Sequence, residues 1–125
     1  MPVIPAPAGP THDLGPTRFT SLATPSRGSA HTSVWLVEIE PGTPPTPHSM
    51  SEEEIFVILD GRAAVRLDGG DHESAGPGDA VVMPPGVRFE ISPASAEPLR
   101  MMCCTRVGAQ ARTDDGAEFT PPWSQ

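Results

Sequence analysis

Hydrophobic and polar residues alternate along this chain in short runs. Between Val34 and Glu40, Trp35, Val37 and Ile39 fall on one side and Glu38 and Glu40 on the other. That period of two belongs to a half-buried β-strand. Glu54 to Leu59 forms a second run, closed by the hairpin signal Asp60-Gly61. Ala63 to Leu67 alternates and turns at Asp68-Gly69-Gly70, and Gly78 to Met83 is stopped by Pro84-Pro85-Gly86. Val87 to Ile91 and Leu99 to Val107 complete the set, and Pro41-Gly42 and the proline-rich bend 43–47 are further turns. No stretch keeps a helical period over four turns, and 17 prolines would break one. Short strands punctuated by Gly and Pro every ~8–12 residues predict an all-β sandwich or barrel.

A chain of 125 residues carries one such domain. Residues 1–17 contain Pro2, Pro5, Pro7, Pro10 and Pro16 and are expected to form an extended arm, disordered or laid along a partner's edge. Residues 18–112 are the expected barrel. Residues 113–125 begin acidic and then carry Phe119 and Trp123, which predicts a tail that folds back and docks. There is no internal repeat.

Charge and composition narrow the function. A formal charge of −8 argues against a nucleic-acid partner, whose phosphates would be repelled. No apolar run approaches the ~20 residues a membrane helix needs. The N-terminus lacks a basic segment followed by an apolar one, so no signal peptide is expected and the cytoplasm is the expected compartment. All 8 basic residues are Arg, and Lys, Tyr and Asn are absent, as in a GC-rich, actinobacterial genome. Without Lys there is no Schiff base, and without Tyr no phenolic acid. Proton chemistry is left to His, Asp, Glu and Cys. Cys103 and Cys104 are strand neighbours pointing to opposite faces, so they are expected to be free thiols in a reducing compartment.

Two spaced motifs stand out. From Gly42, five residues lead to His48; Met50 follows two positions on, then Glu54, then six residues lead to Gly61. From Gly78, five residues lead to Pro84-Pro85-Gly86, two more to Phe89, and three more to Pro93. Over about residues 32–107 this framework resembles the paired motifs of the cupin family, and the tail 119–123 resembles those of small actinobacterial cupins. The resemblance implies a jelly-roll β-barrel with an interior pocket. It also implies a metal held by three His and one Glu. Here only His48 and Glu54 keep those positions: Met50 and Phe89 stand where two imidazoles belong, and Pro93 replaces an Asn.

Two protein donors fall short of the usual three, and a phenyl ring in a ligand's place excludes water. No metal or other cofactor is therefore expected; were one bound, His48 and Glu54 would be its ligands. The pair is expected instead to share a dry pocket as a general acid/base couple, with apolar walls raising the carboxyl pKa and a charged imidazole opposing that shift. By strand parity the pocket lining comprises Trp35, Val37, Phe56 and Ile58, with Met50, Met83, Phe89 and Met101 as adaptable apolar surface. Such a site suits a hydrophobic small molecule and proton transfer next to a carbonyl: isomerase, cyclase, dehydratase or lyase chemistry in secondary metabolism. The alternatives are a metal-dependent oxygenase or isomerase with an unusual ligand set, and a non-catalytic ligand-binding or sensing module. Arg88 and Arg106 are expected at the surface. A homodimer is expected, with no nucleic-acid or membrane partner.

Overall fold

The computed structural model describes residues 2–125. Twelve strands run in the order β1 (His12–Asp13), β2 (Thr17–Ala23), β3 (Thr32–Ile39), β4 (His48–Met50), β5 (Glu54–Asp60), β6 (Ala63–Leu67), β7 (Glu73–Ala75), β8 (Ala80–Met83), β9 (Phe89–Pro93), β10 (Leu99–Arg106), β11 (Ala111–Thr113) and β12 (Glu118–Phe119). They form two six-stranded antiparallel sheets, β1-β2-β3-β10-β5-β8 and β12-β11-β4-β9-β6-β7. Consecutive strands such as β3 and β4, or β7 and β8, lie in different sheets, so the chain crosses repeatedly between layers. This is the jelly roll that the motif framework implied.

The alternation read from the sequence sets the faces. On β3 the buried positions are Ser33, Trp35, Val37 and Ile39; on β5 they are Glu54, Phe56 and Ile58; on β10 they are Leu99, Met101, Cys103 and Thr105. Register locks them together: Cys103 lies opposite Trp35 on one side and Phe56 on the other, and Met101 lies opposite Val37 and Ile58. A one-residue slip would turn this set out to solvent, so burial itself specifies the pairing. One core cluster results, joining all eight predicted lining residues with Val65, Leu99, Cys103 and others. Each large side chain so buried contributes roughly 1.5–3 kcal/mol relative to exposure.

The glycine at the β5–β6 turn has a specific cause. Gly61 has φ +77°, and a Cβ there would meet the Pro98 carbonyl oxygen at 2.5 Å. Only glycine allows both the left-handed backbone and that close approach.

Six strands match runs read from the sequence, with ends shifted by a few residues. The short strands β1, β4, β7, β11 and β12 were not read, because two or three residues show no periodicity. Strand β2 was missed for a different reason: Thr17-Arg18-Phe19-Thr20-Ser21 carries one large apolar residue, and its inward partners are hydroxyls. The proline-rich segment is also more ordered than a free arm. His12 and Asp13 pair with Phe19 and Arg18, and Arg27 donates from Nη2 to the Pro5 carbonyl. Pro10, next in register opposite Ser21, stops the ladder from extending further along β2.

The C-terminal segment packs onto β2 and β3. Trp123 stacks on Phe19 with ring centroids 3.6 Å apart. Ser33 Oγ donates to the Ser124 carbonyl at 2.6 Å and Ser21 Oγ to the Trp123 carbonyl at 2.7 Å. The buried hydroxyls on this edge therefore satisfy the backbone of the tail.

Candidate functional site

His48 opens β4 in one sheet and Glu54 opens β5 in the other. The loop Ser51-Glu52-Glu53 that joins them carries the chain between layers. Its position is fixed by Ser51 N donating to the Gln110 carbonyl and by Thr105 Oγ1 donating to the Glu53 carbonyl. Glu52 and Glu53 stay at the surface side of this crossing, and only Glu54 is buried.

Glu54 is 4% exposed. Its register partners are Thr105 on β10 and Met83 on β8. Among the described residues its carboxyl has no ion pair and no side-chain hydrogen bond. Burial without a partner penalises the charged form and pushes its pKa up to about 8. At neutral pH this group is therefore a carboxylic acid, able to donate a proton. Beside it, burial also pushes the Cys103 thiol well up, with Glu54 a further contributor. Cys103 is an inert core thiol in its resting form.

His48 is half-buried. Its Nδ1 lies 2.8 Å from the Thr46 carbonyl oxygen. A carbonyl can only accept, so Nδ1 carries the proton and donates it. In the neutral ring, Nε2 then holds a free lone pair. Burial lowers the His48 pKa, outweighing the raising effect of the Thr46 bond. The expectation of a charged imidazole is thus corrected: desolvation leaves His48 neutral. A neutral base and a neutral acid are the protonation states that a general acid/base couple needs before reaction.

Phe89 links the two halves. It is fully buried and lies opposite His48 across the β4–β9 ladder. Its ring sits 4.4 Å from the His48 ring and 5.9 Å, edge-on, from that of Phe56, which is two residues along the inward face of β5 from Glu54. Met50 and Met83 are buried as well. Trp35, Val37, Ile58 and Met101 line the same core from β3, β5 and β10.

A family-type metal does not fit this donor set. Met50 and Phe89, at two of the four positions where the motif resemblance implies ligands, are buried, and among the described residues no three His, Cys, Asp or Glu side chains converge on a point. His31 and His72 are exposed and stand apart from the pair. Arg88 is held in a two-pronged ion pair with Asp114, at 2.8 and 2.9 Å, and Arg106 is exposed. Cys103 and Cys104 are both free.

Two contributors escaped the sequence reading. The Thr46 carbonyl, which fixes the tautomer, sits between Pro45 and Pro47; a residue before proline is held extended, which is the signal that was available. Thr105, opposite Glu54, appears only once the register is known.

A family model described as a cupin domain matches residues 35–105. Among solved structures, a cupin-like protein from Thermotoga maritima has a TM-score of 0.65 at 26% identity, covering 71% of this chain and 67% of that one. The polyketide cyclase RemF from Streptomyces resistomycificus has a TM-score of 0.69 at 22% identity, covering 86% of this chain and 74% of its own. KdgF from Halomonas sp. has a TM-score of 0.64 at 22% identity, covering 83% and 89%. At these identities the last two share the fold. A search of the curated proteins finds no match.

Proposed function

This chain belongs to the cupin family, and from that premise we propose that it is a small-molecule enzyme whose acid/base couple is His48 and Glu54, working without a metal. The observation that carries the proposal is two complementary neutral states around one buried ring, Phe89: an imidazole whose Nδ1 is committed to Thr46, and a carboxyl that burial keeps protonated near neutral pH. His48 Nε2 takes a proton from carbon next to a carbonyl, and Glu54 gives one to the carbonyl oxygen. The product is a neutral enol beside an imidazolium and a carboxylate, and both residues return to their neutral states when the enol collapses and the protons are handed back. Collapse of that enol supports isomerisation, cyclisation or elimination. The apolar side chains packed around His48 and Glu54 favour a hydrophobic substrate, and the polyketide cyclase among the structural neighbours shares this fold.

The test is deuterium uptake in D2O by a panel of aromatic 1,3-dicarbonyl compounds. Wild-type protein is expected to catalyse exchange, and His48→Ala and Glu54→Gln each to lower its rate by on the order of 10²-fold or more. Equal exchange in all three proteins would overturn the proposal. Thermal shifts with a ligand and no exchange would favour a binding module instead.

We also read the chain as a homodimer joined through the outward face of the β3-β10-β5 strands. There Leu36, Met102 and Val57 form one row, and Val34, Cys104 and Ile55 the next. Met102 is 37% exposed, although a strand facing water would carry a polar residue there. Sedimentation as a 13.1 kDa monomer at micromolar concentration would contradict this.

A further inference from the structure

Strands β7 and β8 are the unpaired edges of the two sheets on one side of the barrel. A cleft of about 500 Å3 opens between them, walled by Val65 and Leu67 from β6, Glu73 and Ala75 from β7, and Val81 and Met83 from β8. It adjoins the acid/base pair by register at two points. Met83 is the Cα partner of Glu54, and Leu67 is the Cα partner of Phe89, whose ring packs on His48. Met83 is buried, lines the cleft and pairs in register with Glu54. An unbranched thioether repacks more readily than any other side chain of its size.

The walls combine aliphatic side chains with the polar Glu73, Ser74 and Asp79. The inward side chains are aliphatic, and Val82 and Leu67 at the rim are 52% and 38% exposed. The ionisable lining residues are Glu73 and Asp79, both acids, and Asp79 already accepts the Gly76 N–H at 2.8 Å. No Arg or His lines the cleft. The volume lies within the range that holds drug-sized ligands.

We propose that this lateral cleft binds the body of the substrate, and that the substrate is an uncharged small molecule with an apolar face and no acidic group. It enters between the sheet edges and brings its reactive end past Met83 to Glu54 and His48. The inference rests on the acid/base reading for the reactive end, but the cleft itself is tested separately.

The experiment is a fluorescence titration of the full chain with two dyes, neutral Nile red and the sulfonate ANS. Four proteins are compared: wild type, the double variant Leu67→Asp/Val82→Asp, Glu73→Arg and Glu54→Gln. Val82 and Glu73 are exposed and Leu67 is partly so, and a thermal melt checks that the core stays intact in each variant. Wild type is expected to bind one Nile red per chain and to prefer it over ANS by about tenfold. The double variant should lose about tenfold in Nile red affinity, and Glu73→Arg should narrow the preference over ANS. Unchanged Nile red binding in the double variant overturns the cleft, as does an ANS affinity equal to that of Nile red in wild type. Glu54→Gln should bind Nile red like wild type while losing proton exchange. Wild-type exchange combined with Nile red binding indifferent to Leu67 and Val82 would remove the cleft and leave the acid/base pair standing.

Discussion

Phe89 faces His48 directly across the β4–β9 ladder, their rings 4.4 Å apart and tilted by 53°. In the family's metal-binding pattern that position holds a second imidazole. Here a fully buried phenyl ring packs against His48 instead. Its bulk adds to the burial that holds His48 neutral.

Restoring the lost donors should therefore restore metal binding. The double variant Met50→His/Phe89→His completes a four-ligand set with His48 and Glu54. Calorimetric titration with Zn²⁺, Mn²⁺ or Fe²⁺ is expected to show one tight site per chain in the variant and none in wild type. Stoichiometric metal in wild-type protein purified without chelators would contradict the reading.

Glu54 also makes stability depend on pH. Its pKa is raised from 4.5 to about 8 on folding, so the folded state holds a proton that the unfolded state has released. The stability from that proton is fully present below pH 4.5 and is lost as pH rises towards 8, at roughly 1.4 kcal/mol per pH unit. His48 acts in the opposite sense: its lowered pKa gives stability that is present above 6.5 and lost below it. Between pH 6.5 and 8 only the Glu54 slope remains of the two. Urea unfolding across that window should show wild type losing about 2 kcal/mol and Glu54→Gln staying flat.

The docked tail contributes to stability through Trp123. Trp123→Ala removes its stack on Phe19 of β2. Because Trp123 is only half-buried, the cost should be about 2 kcal/mol, below that of a full core truncation. A melting temperature lowered by roughly 6–10 °C is the expected reading, and no change would show that the tail adds nothing.

The barrel was legible because its long strands repeat a two-residue period and its turns need glycine or proline. Trp35, Val37 and Ile39, or Glu54, Phe56 and Ile58, fix a face by themselves. Strand β4 could not be read that way: His48-Ser49-Met50 is too short to show a period, and only the spacing from Gly42 located it. Spacing also picked Glu54 out of three consecutive glutamates. The protonation of the pair was half legible. An apolar wall raising a carboxyl follows from composition, but the neutral imidazole depends on burial and on a backbone carbonyl two residues away. The lateral cleft was not legible, because it forms between edges of different sheets that only the topology brings together.

The central claim is that Glu54 is a carboxylic acid at neutral pH. It is tested most directly by following the side-chain carboxyl carbon resonances of 13C-labelled protein by NMR from pH 4 to 10, with Glu54→Gln to assign the signal. The expected result is a Glu54 midpoint near 8, with the carboxyl protonated at pH 7. A midpoint near the ordinary 4.5 would mean that an ionised carboxylate sits in the barrel, and the acid/base account would fail.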